Sequence, residues 1–75
     1  MNNPDDLYDF LFAKRDRRNG VRVHQSSLSE EIGVPQYTIS RWISKLIERK
    51  LLKPVRREQG NIQYYAIREN LNLNP

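Results

Sequence analysis

Pro35 and Pro54 bracket the longest helical periodicity in the chain, with Ile39, Ile43, Leu46, Ile47 and Lys50 falling within an arc about 100° wide. Proline is tolerated in the first turn of a helix, where its missing N–H has no intrahelical partner, and it stops a helix from within. The spacing therefore predicts an amphipathic helix that opens at Pro35, runs to about Lys50 and closes through Leu51 and Leu52 against a core. With 75 residues in all, the chain buries only about 60% of its unfolded surface, enough for one domain with one thin core. A hydrophobic share of 37% and seven Phe, Trp and Tyr residues place it with folded rather than disordered chains. The sequence contains no cysteine, so stability rests on packing, supplemented at most by dimerisation. We expect a single domain over 1–75, with its core in 4–67 and a short tail, 68–75, in which Leu71 and Leu73 can dock.

The rest of the chain is punctuated by caps and turns. Asn3-Pro4-Asp5-Asp6 reads as a helix start, with a capping amide, a proline at the first position and two carboxylates near the positive end of the helix dipole. Leu7, Phe10, Leu11 and Lys14 share one face of that helix, and Tyr8 and Phe12 form a second stripe that packs on the C-terminal tail or contacts a second copy. Asn19-Gly20 marks a turn, and the alternation in Val21-Arg22-Val23 predicts a short strand with both valines inward. Ser27 with Glu30 fits a capping box for a second helix through Leu28 and Ile32, with Ser26 and His24 as alternative starts. Gly33 follows the last apolar position as a left-handed cap. Two extended segments, 53–57 and 62–67, flank the Glu58-Gln59-Gly60-Asn61 loop as a hairpin, with Tyr65 and Ile67 on one side and Tyr64 and Ala66 on the other.

The stretch from His24 through Leu46, with its Leu28-x-x-x-Ile32-Gly33-Val34 turn followed by Thr38-Ile39-Ser40-Arg41, resembles the winged helix-turn-helix domains of bacterial and phage regulators. The segment from Leu46 to Leu52 is similar to the segment that closes the recognition helix in that family, which often has Gly where this chain has Lys50. The resemblance covers residues 21–67. It implies an α+β winged helix-turn-helix fold: three helices, a short strand and a C-terminal two-stranded wing. It also implies a DNA-binding role, with helix 35–50 in the major groove and wing 53–67 on the minor groove or backbone.

Charge is distributed in keeping with that role. Segments 1–34, 35–57 and 58–75 carry net charges of −1, +6 and −1, so the positive charge lies in the recognition helix and the strand after it. Such a concentration suits a polyanion. On the helix face opposite the apolar arc, Arg41 can take the O6 and N7 of a guanine or hold a phosphate. Gln36 at the helix entrance can pair with adenine or serve as a surface cap. Tyr37 can pack on a thymine methyl or bond a phosphate. Small Ser40 and Ser44 let the helix approach the bases, Lys45 meets backbone phosphate, and Thr38 either joins the contact or bonds within the first turn. Arg56 and Arg57 lead into the wing loop, with Gln59 and Asn61 beside them, and Arg17, Arg18 and Arg22 extend the phosphate track if their loop faces the duplex. Trp42 lies at the margin of the apolar face and is expected at the core edge.

Enzyme chemistry has little to work with: one histidine, no cysteine, no Gly-rich phosphate loop and no zinc-protease motif. We expect no catalytic residue, cofactor, metal or small-molecule ligand. Neither a membrane span nor a signal peptide is evident in the sequence, and a cytoplasmic location is expected. The expected function is sequence-specific binding of double-stranded DNA by a small transcriptional regulator that is little more than its reading domain, paired as a homodimer or recruited by a protein partner. The alternative is a winged-helix interaction module docking on a transcription or replication component. A third reading, single-strand or RNA binding, would use Tyr64 or Tyr65 as stacking platforms.

Overall fold

A computed structural model describes residues 1–70, so the docking of Leu71 and Leu73 lies outside the described residues. The order is α1 (Pro4–Ala13), β1 (Gly20–Val23), α2 (Gln25–Ile32), α3 (Gln36–Glu48), β2 (Leu52–Glu58) and β3 (Ile62–Ile67). The architecture is α+β, with three helices against a three-stranded antiparallel sheet of order β1-β3-β2. The short strand expected near Val21 is thus the third member of the wing sheet. A lone hairpin is marginal in water, and β1 completes the minimum number of strands for an independent sheet.

The core assembles as the apolar patterns require. Leu7 of α1, Ile39 and Leu46 of α3 and Leu52 of β2 are essentially solvent-free, with Leu11, Val21, Val23, Leu28, Ile43, Tyr65 and Ile67 around them. Trp42 is half-buried at the core margin, as its position on the helix predicts. Tyr8 is buried and donates its hydroxyl to the Arg68 carbonyl, while its ring stacks on Phe12 at 5.5 Å. That half of the second α1 stripe is therefore engaged by the start of the tail. Lys14, on the same face of α1, is exposed and reaches over an apolar neighbour, with its ammonium 4.5 Å from the centre of the Phe10 ring and 2.9 Å from Glu31.

The caps explain where the helices begin and end. Asn3 accepts the Asp6 N–H at 2.9 Å. The predicted Ser27–Glu30 capping box is replaced by His24, whose Nδ1 accepts the Ser27 N–H at 3.3 Å and lies 2.9 Å from Ser27 Oγ. Gly33 has φ 69° and ends α2. The Gly33 and Val34 N–H groups both bond the Ser29 carbonyl, and Ser29 Oγ donates to the Val34 carbonyl at 2.6 Å, which pins the turn into α3. Pro35, expected to be the first helical residue, is extended at ψ 147° and sits one position before the helix. Helix α3 ends at Glu48 rather than Lys50 because Lys50 takes φ 66°. The Lys50 N–H bonds the Ile47 carbonyl and the Leu51 N–H the Leu46 carbonyl, the two bonds of a Schellman cap, with a lysine in the position that favours glycine. Among the described residues no helix is long and apolar enough to cross a membrane.

Candidate nucleic-acid interface

The interface follows from how α3 is seated. Ile39, Ile43 and Leu46 are buried against α1, α2 and the sheet, so the opposite side of the helix must face outward. There Gln36, Tyr37, Ser40, Arg41, Ser44 and Lys45 are all exposed, and Thr38 is half-buried beside them. Tyr37 is 69% exposed, an aromatic ring left in solvent at the centre of a polar face. Arg41 and Lys45 enter no ion pair among the described residues, so their charge is available to an external partner. Thr38 contributes its backbone N–H to the Pro35 carbonyl at 3.0 Å, a first-turn bond of the main chain.

The wing's two adjacent arginines point to opposite faces by the alternation of the strand, and a bulge decides which face each one takes. Leu52 pairs with Ile67 and Pro54 with Tyr65 on the core side; Val55 is then extruded, so that Arg56 pairs with Tyr64 and Arg57 with Gln63. Strict alternation from Leu52 would have turned Arg56 inward and Arg57 outward. Strand β2 is an edge strand, the position in a sheet that tolerates the missing N–H of Pro54. Arg57 consequently lies on the same side as Val23 and Gln63, in a groove that also takes in His24, Gln25, Gln36 and Asn61. The structure thus joins Arg57 to the entrance of α3 and to the amides of the hairpin. Of these, Gln63 is not among the contacts expected from the sequence; alternation with Tyr65 and Ile67 puts it on this side, and the bulge in β2 brings Arg57 beside it.

Arg56 belongs to a different constellation on the outer face of the sheet. The Tyr64 ring carries the Arg56 guanidinium at 4.4 Å and that of Arg22 at 4.9 Å, from the strands on either side. Glu58 bridges the two cations, accepting from Arg22 Nε at 2.7 Å and Arg56 Nε at 3.0 Å. The Tyr64 hydroxyl donates to Asp16 Oδ2 at 2.7 Å, and Asp16 Oδ1 accepts the N–H groups of Arg18 and Gly20. These contacts set the ionisation of the cluster. The Tyr64 bond, ahead of the Gly20 N–H, holds the Asp16 carboxyl below its usual range. The bond to Arg22 does the same for Glu58, which in turn raises Arg22. The Tyr64 phenol is pushed up by its bond to Asp16 and by burial. Gly20 makes room for the ring: a Cβ there would lie 1.8 Å from the Tyr64 hydroxyl oxygen.

Other candidates are placed plainly. Arg22 is tied to Glu58, and the loop holding Arg17 and Arg18 leads into Gly20, which pairs with Ala66 at the end of β3 farthest from the wing tip. Arg49 is bonded to Asp5 at 2.6 Å, linking the end of α3 to the start of α1. Tyr64 and Tyr65 are both buried, so neither ring presents an open face for a base to stack on. No protein-family model matches this chain, and neither the curated proteins nor the solved structures provide a match.

Proposed function

We propose that the chain is a winged helix-turn-helix regulator of transcription that binds double-stranded DNA sequence-specifically. Helix α3 enters the major groove and the β2–β3 hairpin lies on the adjoining backbone or minor groove. The observation that carries the reading is the outward face of α3, where two cations with no ion-pair partner among the described residues, an exposed tyrosine and two small serines project together from a helix anchored by its other side. Long side chains on such a helix reach base edges, small ones permit close approach, and flanking cations neutralise phosphate. Arg41 is assigned the base contact, Lys45 and Arg57 the phosphates, and Gln36 and Tyr37 the entrance of the groove. A single recognition helix spans few base pairs, so the proposal pairs two copies on a site with two-fold symmetry.

The test is anisotropy on labelled duplexes, comparing selected with random sequence. Wild type should prefer the selected duplex, and Arg41→Ala should lower that preference by about 1–3 kcal/mol while retaining non-specific affinity. Absence of duplex binding at low salt would refute the reading; an unchanged preference in Arg41→Ala would refute the role given to Arg41.

A further inference from the structure

Arg56 and Arg57 are adjacent in sequence and equally charged, yet they meet different surroundings. Arg57 is exposed, on the groove side of the sheet with Gln36 and Asn61, and makes no ion pair among the described residues. Arg56 is held on the opposite side by two side-chain contacts, the Tyr64 ring against its guanidinium and the Glu58 carboxylate at 3.0 Å, while Gln63 Nε2 donates to its backbone carbonyl at 2.8 Å. Arg22 and Arg56 are balanced by Glu58 and Asp16, so the cluster as a whole carries no net charge, releases few counterions on meeting a phosphate and adds little to salt-dependent affinity. The planar guanidinium of Arg56 does what an ammonium does poorly, stacking on a ring while bonding a carboxylate at its edge.

We propose that the two wing arginines divide the labour of binding: Arg57 is the cation that contacts DNA, and Arg56 is a positioning residue that acts through Tyr64. The inference rests on the duplex-binding reading above and adds the mechanism by which the wing is aimed. Arg22, Tyr64 and Arg56 form a cross-strand row from β1 through β3 to β2, and Glu58 closes the row from the hairpin side. Asp16 ties Tyr64 to the loop after α1. The row thereby fixes the hairpin to the body of the domain, and the bulge at Val55 turns Arg57 toward the α3 side as it turns Arg56 away.

The salt dependence of duplex affinity separates the two roles, because each phosphate contact contributes about 0.9 to the slope of log K against log salt. Arg57→Ala should lose about that increment, so that the wild-type-to-variant affinity ratio shrinks about 3.5-fold between about 50 and 200 mM salt. Arg56→Ala should leave the slope at the wild-type value, and any loss of affinity should be the same at every salt concentration. Arg56→Lys retains the charge and should resemble Arg56→Ala, whereas Arg57→Lys should resemble wild type. All variants are checked for folding by circular dichroism, and the two lysine variants keep the comparison informative if Arg56→Ala loosens the hairpin. Equal slope losses for Arg56→Ala and Arg57→Ala, or rescue of wild-type affinity by Arg56→Lys, would overturn the division while leaving duplex binding intact. Failure of wild type to bind duplex at low salt would overturn both.

Discussion

Gly33 and Lys50 occupy the same kind of helix-ending cap with φ of 69° and 66°, one filled by glycine and the other by lysine, and this makes them a matched pair for measuring strain. At Gly33 an added Cβ meets nothing within 4 Å, so Gly33→Ala introduces no clash with neighbouring groups and leaves only the local conflict between Cβ and backbone. That conflict costs an L-residue roughly 1–2 kcal/mol. Alanine also restricts the unfolded chain relative to glycine, which offsets about 0.4–1 kcal/mol. The expected result is a net destabilisation of about 0.5–1 kcal/mol, or roughly 2–8 °C in Tm for a domain of this length. Lys50→Gly reverses each contribution and should stabilise by a similar amount, while Lys50→Ala keeps both the Cβ and the strain, and controls for the lost charge. Urea melts followed by circular dichroism provide the measurement, with an unchanged m-value confirming that only stability has moved. If Gly33→Ala were neutral, or Lys50→Gly destabilising, the left-handed strain assigned to both caps would be wrong.

Two further outcomes follow from the same contacts. Asp16 and Glu58, held below the usual carboxylate range by Tyr64 and Arg22 respectively, contribute stability that is complete above pH about 5 and is lost on acidification through their folded values. Tyr8 and Tyr65, raised first by burial, and Tyr64, raised first by Asp16, contribute stability that is complete below pH about 10 and is lost as pH rises further. Urea midpoints should therefore form a plateau between about pH 5 and 9.5 with two falling arms, and Tyr64→Phe should weaken both; a midpoint that climbs toward pH 3 would contradict the assignment. His24→Ala removes the acceptor that caps α2 and should cost about 0.5–2 kcal/mol, with His24→Asp restoring most of it. Equal stability of the two variants would show that the cap contributes nothing.

What could be read from the sequence was local. The 3.6-residue spacing of Ile39, Ile43 and Leu46 declares α3, and Asn3-Pro4 and Gly33 declare caps whose partners lie within a few residues. The inward-facing Val21, Val23, Tyr65 and Ile67 follow from alternation alone, because both strands are regular. What the sequence leaves open is decided by neighbours in space. Ser27, Ser26 and His24 all fit the start of α2, and the cap falls to His24, where the chain enters the helix extended from β1. The bulge at Val55 has no short-range signature beyond Pro54, yet it inverts the faces of Arg56 and Arg57. Alternation puts Tyr64 on the outer side of the sheet, but its burial depends on the room Gly20 leaves at its hydroxyl and on two arginines from other strands. Alternation supplies a direction, and only the register supplies the partners.

The outer face of the sheet also bears on how the wing is kept in place. A two-stranded hairpin alone is marginal, and the apolar side of this sheet is already fully occupied by the single core. The solution adopted is a polar one: a tyrosine is covered by the planes of two arginines, a carboxylate joins them, and, among the described residues, every buried side-chain polar atom has a partner. A hairpin ordered in advance loses less conformational freedom when its tip meets a ligand, so the energy of the tip contacts is retained as affinity. On this argument the cluster around Tyr64 affects binding without touching the bound molecule. Its removal should raise the cost of ordering the strand that carries Arg57 and Asn61, lowering affinity equally at every salt concentration, and should leave the contacts made by α3, which is anchored separately through Ile39 and Leu46, unchanged.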